Sequence, residues 1–283
     1  LDAFAAGAHV LTEKPIAISV ADADAMIAAA DDAGRFLGVN FQLRFRPVIE
    51  HARAFIESGQ LGELLRVVVI EPWYRPAAYY RSAGWRGTWK GEGGGVLMNQ
   101  APHTLDLLCH LAGQPTRVMG WTRTFKHAIE VEDSAQAMFE FANGAMGMLQ
   151  VNTVDAGGAQ RLEITGDKAS LALAGDTLTI TRYEPSMNEH RNTSPEMFSR
   201  PPQTIETLEI KAGDFGSGHV ALHRDFFDAV ANNRAPRVDG REGRMSLELA
   251  NAILLSSDRN QPVDLPLDRA AYGALLTRLQ QGA

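Results

Sequence analysis

The segment GAHVLTEKPIAISVADADAMIAAADDAGRFLGVNFQ, residues 7–42, decides the fold class because two short apolar runs enclose one helical pattern. The runs His9–Thr12 and Phe36–Phe41 predict strands. Between them, Ser19 precedes an alanine-rich stretch that ends near Gly34, and the aspartate three residues after this serine resembles half of a capping box. Strand, helix and strand in this order are typical of a βαβ unit, so we predict a parallel sheet.

From residue 47 onward the pattern changes to that of an antiparallel sheet. A helical pattern, Pro47–Ser58, is followed by apolar runs that begin with LLRVVVIEPWY at residues 64–74. Asn143-Gly144 separates two later runs and is a strong hairpin signal. The further predicted strands are Thr116–Phe125, Ala135–Phe141, Ala145–Thr153, Arg161–Thr165, Ser170–Leu173, Thr177–Arg182 and Thr204–Ile210.

Two helices are predicted near the end of the chain. Apolar residues four positions apart place them near Val220–Val230 and Glu242–Ser256. The segment Glu184–Gln203 is polar and interrupted by prolines, so we predict a loop there.

Composition limits the classes of function. The chain of 283 residues is 45% hydrophobic and 22% charged, which is ordinary for a globular protein. Its net charge is −7 and it has no basic run, so nucleic acid is not an expected partner. Cys109 is the single cysteine, and no apolar stretch approaches the roughly 20 residues that span a bilayer. We therefore expect no membrane association and a cytoplasmic location, although a targeting signal before Leu1 would lie outside this sequence.

The segment GGGVLMNQAPHTLDLL, residues 93–108, has three consecutive glycines at its start and polar or ionisable side chains after them. On a helical wheel Asn99, His103, Asp106 and His110 share one stripe. One interpretation is an amphipathic surface helix whose polar face is solvated. The other is a functional stripe, in which the glycines let a ligand approach a helix N-terminus.

Pro102 limits where this helix begins, because proline fits only within a first helical turn. The helix must then begin close to Asn99, which in a purely structural interpretation is its N-cap.

Polar side chains follow both predicted parallel strands. Lys14 comes after the first strand with Glu13 beside it, and Asn40, Gln42 and Arg44 lie with alternating orientation at the end of the second. Ligands of open α/β sheets bind beyond the carboxyl ends of strands, which makes Lys14 a candidate functional lysine. A solvated loop lysine is the alternative.

Taken together, these stretches resemble the Gfo/Idh/MocA oxidoreductases. The matching segments are TEKP after GAHVL, RFRP before a helix ending in SGQLGEL, WRGTW before GGGVLMNQAPHTLDLL, and HRDFFDAV with PRVDGREGRMSLELANAILLSS. The resemblance implies an α/β fold: residues 1–42 as the remnant of a Rossmann parallel sheet, and residues 43–283 as an α+β domain with a large, mainly antiparallel open sheet. The late helices are expected to pack back on the first part.

The resemblance also implies an activity for the full-length protein, the transfer of a hydride between NAD or NADP and a sugar, polyol or related hydroxyl compound. It makes Lys14 and His103 catalytic and favours His103 as base, with Lys14 as electrostatic partner and member of the proton relay. The opposite order stays open, because two coupled groups cannot be apportioned from sequence. We expect both side chains to converge on one cleft. We expect substrate contacts from Asn99, Arg44 and Asp106 and no metal site. The residues expected to border the cofactor are Glu13, Lys14, Pro15, Asn40, Trp85 and Arg86.

Asn99 departs from the pattern of the family, in which many members carry an aspartate at this position. An amide cannot take up a proton, but it can position a substrate hydroxyl.

The phosphate-binding pattern G-x-G-x-x-G is missing from the first part of the chain. Its one match, GSGHVA at residues 216–221, has no βαβ unit around it and is expected to be a chance match. We therefore expect an N-terminally truncated chain that lacks most of the Rossmann domain, binds no dinucleotide tightly and is inactive as it stands.

Two other functions remain compatible with the sequence. An NAD-using glycosidase of the same superfamily would oxidise its substrate only transiently, and a cofactor-sensing regulator would catalyse nothing. In all three cases the side chains of AQAMFEF and AMGMLQV alternate between the two faces of the sheet, and one of these faces is apolar. We therefore expect a homodimer or homotetramer formed through the open face of the sheet.

Overall fold

The N-terminal part of the chain forms a short parallel sheet with one connecting helix. The computed structural model describes residues 1–158, 160–211, 213 and 216–282. The first elements are α1 (Asp2–Ala5), β1 (Val10–Thr12), α2 (Val20–Asp32) and β2 (Leu37–Val39). Strands β1 and β2 pair in parallel. The Oγ atom of Ser19 accepts a hydrogen bond from the backbone N–H of Asp22 at 3.2 Å and so caps α2. The predicted strand–helix–strand unit is confirmed.

A mixed sheet follows, and within the described residues it has nine strands in the order β10-β9-β8-β7-β3-β6-β5-β4-β11. The strands are β3 (Leu64–Pro72), β4 (Arg117–Arg123), β5 (Ser134–Glu140), β6 (Met146–Asn152), β7 (Arg161–Gly166), β8 (Ala169–Ala174), β9 (Thr177–Tyr183), β10 (Gln203–Glu209) and β11 (Val263–Asp264). Neighbouring strands are antiparallel except β3 and β6, which are parallel. The predicted fold class is confirmed.

The remaining helices are a 3-10 helix (Gln42–Phe45), α3 (Pro47–Glu57), α4 (Ala77–Arg81), α5 (Trp89–Glu92), α6 (Val96–Asn99), α7 (Pro102–Ala112), α8 (Met187–Thr193), α9 (Ser217–Ala231), α10 (Gly240–Arg259) and α11 (Arg269–Gln280). Of these, α3, α6, α7 and α10 pack against the large sheet. Every second residue of β5 is buried against them.

The late helices pack against the N-terminal strands. Helix α10 contacts both α2 and β2, and the backbone N–H of Val39 donates to the carbonyl of Val238 at 3.0 Å. A Cβ atom at Gly243 would lie 2.4 Å from the side chain of Val39, so this glycine permits the close approach. The division of the chain after residue 42 stays a prediction.

The loop predicted for Glu184–Gln203 is partly wrong, because it contains α8. The Oγ atom of Ser186 caps this helix by accepting from the N–H of Glu189 at 3.2 Å. No residue of α8 is buried, so the sequence carries no apolar stripe that would have marked the helix.

Candidate active site

The polar residues after the two parallel strands lie side by side, because the carboxyl ends of parallel neighbours meet at one sheet edge. The backbone N–H of Asn40 donates to the carbonyl of Thr12 at 2.9 Å. The side-chain Nδ2 of Asn40 donates to Oε1 of Glu13 at 2.7 Å. Asn40 is buried, and its Oδ1 has no hydrogen-bond partner within the described residues. An acceptor is thus left free at this edge.

Lys14 reaches from the same edge to the second part of the chain. Its Nζ donates to the backbone carbonyl of Asn99, the last residue of α6, at 2.6 Å. Burial lowers the pKa of Lys14 below its usual value, and the carboxylates of Glu13 and Glu92 partly oppose this effect. The nearby guanidinium groups of Arg75 and Arg86 lower the pKa further. Pro15 is joined to Lys14 by a cis peptide bond.

His103 lies one turn beyond Asn99, in the first turn of α7. Its side chain is 7% exposed and packs edge-on against the ring of Phe41, with ring centroids 5.8 Å apart. Burial lowers the pKa of His103 to about 3, and the positive charge of Lys14 and the ring of His219 add to the effect. His103 is therefore a neutral imidazole at physiological pH, and its Nδ1 has no partner in the described part of the chain. The structure brings Lys14, Asn99 and His103 together.

Two structural interpretations of α7 are wrong. The helix does not expose a polar face, because His103 and Asp106 are both buried, as are Leu105 and Leu108 opposite them. Asn99 is not its N-cap, because Ala101 holds that position and Pro102 begins the helix. A separate short helix, α6, precedes α7 and contains Asn99, and no pattern in the sequence separates the two.

The side chain of Asn99 is held in place by its neighbours. Its Oδ1 accepts from the hydroxyl of Tyr79 at 2.9 Å and from Nε2 of Gln100 at 3.1 Å. Its Nδ2 donates to Oε1 of Glu92. Arg86 donates to the same Tyr79 hydroxyl at 2.6 Å and stacks on the Tyr79 ring at 4.3 Å. The amide therefore has one orientation.

Trp85 and Arg86, predicted to border the cofactor, are in contact with each other. The guanidinium of Arg86 lies 4.4 Å from the ring centroid of Trp85, whose indole is half exposed. The pair lies beside the Asn99 network through the contact of Arg86 with Tyr79.

The glycines before α6 serve packing rather than ligand approach. The carboxylate of Glu132 accepts from the backbone N–H groups of Gly95, at 2.9 Å, and Leu97, at 3.0 Å. A Cβ atom at Gly95 would lie 1.8 Å from the carbonyl oxygen of Glu132. Burial raises the pKa of Glu132 to about 7, and the hydrogen bonds from Leu97 and Gly95 oppose the rise. The N-terminus of α6 is therefore already occupied by this side chain.

We expect Gly95→Ala to lower the free energy of unfolding by about 1–3 kcal/mol, because the added methyl group overpacks a site bounded by backbone. Urea unfolding measures the change. Gly273→Ala is the matched control, because it lies within α11 with open space around it and should gain up to about 1 kcal/mol from helix propensity. Equal stability of Gly95→Ala and the parent protein would contradict this account of the glycine.

Arg44 and Asp106, predicted to contact substrate, contact each other. Nε and Nη2 of Arg44 donate to the two carboxylate oxygens of Asp106 at 2.9 and 2.6 Å. The side chains are 3% and 1% exposed, and Arg44 also binds Glu242 at 2.7 Å. Burial disfavours the charged form of Arg44, but the carboxylates of Asp106 and Glu242 favour it and raise the pKa of Arg44 above its usual value. This geometry gives no support to a substrate contact, which stays a prediction.

A cavity of about 210 Å³ lies against His103 on the side of the large sheet. Its polar lining includes Gln42, Arg46, Glu71, Trp73, Thr104 and Arg161. Burial raises the pKa of Glu71 to about 7, and a hydrogen bond with Thr104 opposes the rise. Glu71 was missed at the sequence level, because one acidic residue near the end of an apolar run carries no distinguishing pattern.

The described residues contain no group of three or more His, Cys, Asp or Glu side chains arranged to hold a metal ion. Among the helices of the described part, none is both long and apolar enough to cross a membrane.

Comparison with known proteins shows which family has this arrangement. The sequence model of an oxidoreductase family with an NAD-binding Rossmann fold matches residues 1–41, and that of the GFO/IDH/MocA C-terminal domain matches residues 49–172. 1,5-Anhydro-D-fructose reductase of Ensifer adhaerens is 30% identical over 267 residues, which cover 94% of this chain and 75% of that protein. The chain belongs to the GFO/IDH/MocA oxidoreductases. The predicted family and enzyme class are confirmed.

Other GFO/IDH/MocA relatives are similar over the same extent. Levoglucosan dehydrogenase of Pseudarthrobacter phenanthrenivorans is 25% identical over 92% of this chain and 75% of its own length. Among solved structures, the WlbA dehydrogenase of Bordetella pertussis in complex with NADH and UDP-GlcNAcA is 30% identical, with a TM-score of 0.77 over 94% of this chain and 74% of that one.

Proposed function

We propose that this oxidoreductase transfers a hydride between a nicotinamide cofactor and a carbon that bears a hydroxyl group in a sugar, polyol or related compound. The observation that carries the proposal is the position of Lys14, whose Nζ is fixed at 2.6 Å from the Asn99 carbonyl and whose charge acts on the buried, neutral His103. The activities by which the Ensifer and Pseudarthrobacter relatives are named support this class of substrate.

The residues at the edge of the parallel sheet fit a nicotinamide cofactor. Oδ1 of Asn40 has no partner among the described residues and is free to accept a hydrogen bond from the cofactor, and Glu13 and Lys14 lie beside it. Trp85 and Arg86 border the same region from the second part of the chain. When bound, the cofactor supplies the hydride acceptor, and we assign NAD or NADP to this role.

Lys14 is the group that exchanges the hydroxyl proton. A general base works best when its pKa lies near the working pH. Burial lowers the pKa of Lys14 from its usual alkaline value in the direction of neutrality, whereas burial lowers the pKa of His103 to about 3, away from neutrality. His103 thus acts as a neutral hydrogen-bonding group that orients the hydroxyl. This order reverses the one that the sequence favoured.

The cavity beside His103 holds the remainder of the substrate. With about 210 Å³ it is smaller than the roughly 300–1,000 Å³ of sites for larger ligands, so it suits a molecule the size of one sugar ring. Carboxylate, amide and guanidinium groups in its wall match a substrate with several hydroxyl groups.

A screen of sugars and polyols with NAD and with NADP tests the function, with reduced nicotinamide followed by absorbance. Because the sequence predicts no activity for the chain as it stands, this screen and the kinetic tests below use a protein that carries a complete Rossmann domain. Reduction of one cofactor that depends on a polyhydroxylated substrate is the expected result and also identifies the cofactor. Cleavage of aryl glycosides without net reduction of the cofactor would establish the glycosidase instead, and no turnover in either assay would contradict both. A cytoplasmic location stays a prediction.

The uncovered face of the large sheet is the expected interface between copies of the chain. Met138 is paired across the strands with Met148, and both are exposed, as are Met146 and Trp121. Contiguous apolar surface of this kind is typical of an interface.

We expect light scattering at micromolar concentration to give two or four times the chain mass of 30.8 kDa. Met138→Glu places a charge in the patch and should reduce the mass. Met197→Glu, at a more exposed methionine outside the sheet, is the control. A monomeric parent protein would contradict the proposal.

A further inference from the structure

Glu92 is a buried carboxylate at the centre of the candidate site, and neither the family pattern nor the proposed mechanism uses it. It ends α5 and its side chain is 6% exposed. One carboxylate oxygen accepts from the backbone N–H of Gly87 at 2.6 Å, and the other accepts from Nδ2 of Asn99. Both oxygens are therefore fixed.

The neighbours of Asn99 determine which end of its amide faces Glu92. Tyr79 and Gln100 both donate to Oδ1, so the NH₂ group must point to the carboxylate. An aspartate at position 99 would instead place two carboxylates in direct contact, which is unfavourable in a buried site. Asn99 and Glu92 thus form a matched pair, in which the negative charge lies one hydrogen bond away from position 99.

The charge of Glu92 acts on Lys14. Four charged groups face this lysine: the carboxylates of Glu13 and Glu92, and the guanidinium groups of Arg75 and Arg86. The fifth titratable neighbour is His103, which is neutral. Without Glu92, one carboxylate would face two guanidinium groups.

We propose that Glu92 is the positioning carboxylate of this active site: it supplies a negative charge one hydrogen bond away from Asn99, orients the amide of Asn99 and favours the charged form of Lys14, which binds the Asn99 carbonyl. The proposal deepens the proposed function and rests on it. Glu92 acts through Asn99 and through its electrostatic field.

An exchange of the two side chains tests this pairing. In the double variant Glu92→Gln with Asn99→Asp, the carboxylate now at position 99 receives hydrogen bonds from Tyr79, Gln100 and the new amide at position 92. The oxygen of that amide still accepts from the backbone of Gly87. We expect each single variant to lower kcat by about tenfold or more, and the double variant to recover most of that loss. Glu57→Gln, on the exposed surface of α3, is the matched control and should change nothing.

The second measurement does not depend on activity. The chain has five lysines, so the side-chain nitrogen of Lys14 can be assigned by NMR and titrated in the protein without ligand. Glu92→Gln should move the midpoint of this titration to lower pH, and the double variant should return it toward the parent value.

An unchanged Lys14 midpoint in Glu92→Gln would overturn the proposal, as would a double variant no more active than Asn99→Asp. If Glu92→Gln fails to fold, the comparison of kcat between the double variant and Asn99→Asp still tests the pairing, since both keep a carboxylate at position 99 and differ only at position 92. Absence of hydride transfer in the parent protein would contradict the proposed function, and the titration would still report on Glu92.

Discussion

Lys14→Met lowers kcat for hydride transfer by about 10³-fold, because the hydroxyl proton loses its acceptor and the developing alkoxide loses a neighbouring positive charge. Methionine keeps the unbranched side chain up to Cε and removes only the amine, so binding of the cofactor should change far less than kcat. Steady-state kinetics measures the first quantity and calorimetric titration the second.

The pH profile distinguishes a base from a merely structural lysine. Lys14 accepts a proton only when it is neutral, so oxidation by the parent protein should become faster as the pH rises through the lowered pKa of Lys14. Lys14→Met should lose this rise. Lys168→Met, at an exposed lysine, is the control and should keep both rate and profile. Parental turnover in Lys14→Met would show that the mechanism is wrong even though the fold is right.

Arg44→Met lowers the free energy of unfolding by about 3–5 kcal/mol, because it leaves the carboxylate of Asp106 buried without its partner. Asp106 is 1% exposed and accepts both of its short hydrogen bonds from Arg44, so the variant removes both of these bonds at once. Urea unfolding at pH 7 measures the change.

A second variant tests whether the loss of stability comes from the unpaired charge of Asp106. Arg44→Met combined with Asp106→Leu removes both charges and should recover most of the lost stability, since a buried ion pair is often replaceable by apolar side chains of similar volume. If Arg44 instead binds substrate, the single variant will keep the parental stability and raise KM. That result would restore the substrate contact predicted from the sequence.

The part of the site at the parallel strands could be predicted from the sequence. Apolar runs on either side of one helical pattern predict parallel strands, and the ends of such strands meet at one edge. Glu13 and Lys14 follow the first run directly, and Asn40 lies at the end of the second, so their proximity follows from the local pattern alone.

The partners of α7 could not be predicted in the same way. The stripe through Asn99, His103 and Asp106 is visible in the sequence, but whether it faces solvent, substrate or an ion pair depends on what packs against it. Arg44 is 62 positions away from Asp106, and only the packing of the 3-10 helix against α7 brings the two together.

The sequence by itself determined the fold class, the strand order of the βαβ unit and the family, because periodic burial and local turn chemistry are written into neighbouring residues. Only the tertiary structure decided that Lys14 meets the carbonyl of Asn99, 85 positions away, and that Glu92 supplies the carboxylate beside it. The physical reason is that a site is defined by contacts between distant segments. Which segments come into contact depends on the packing of whole helices and strands, and no local sequence pattern determines that packing.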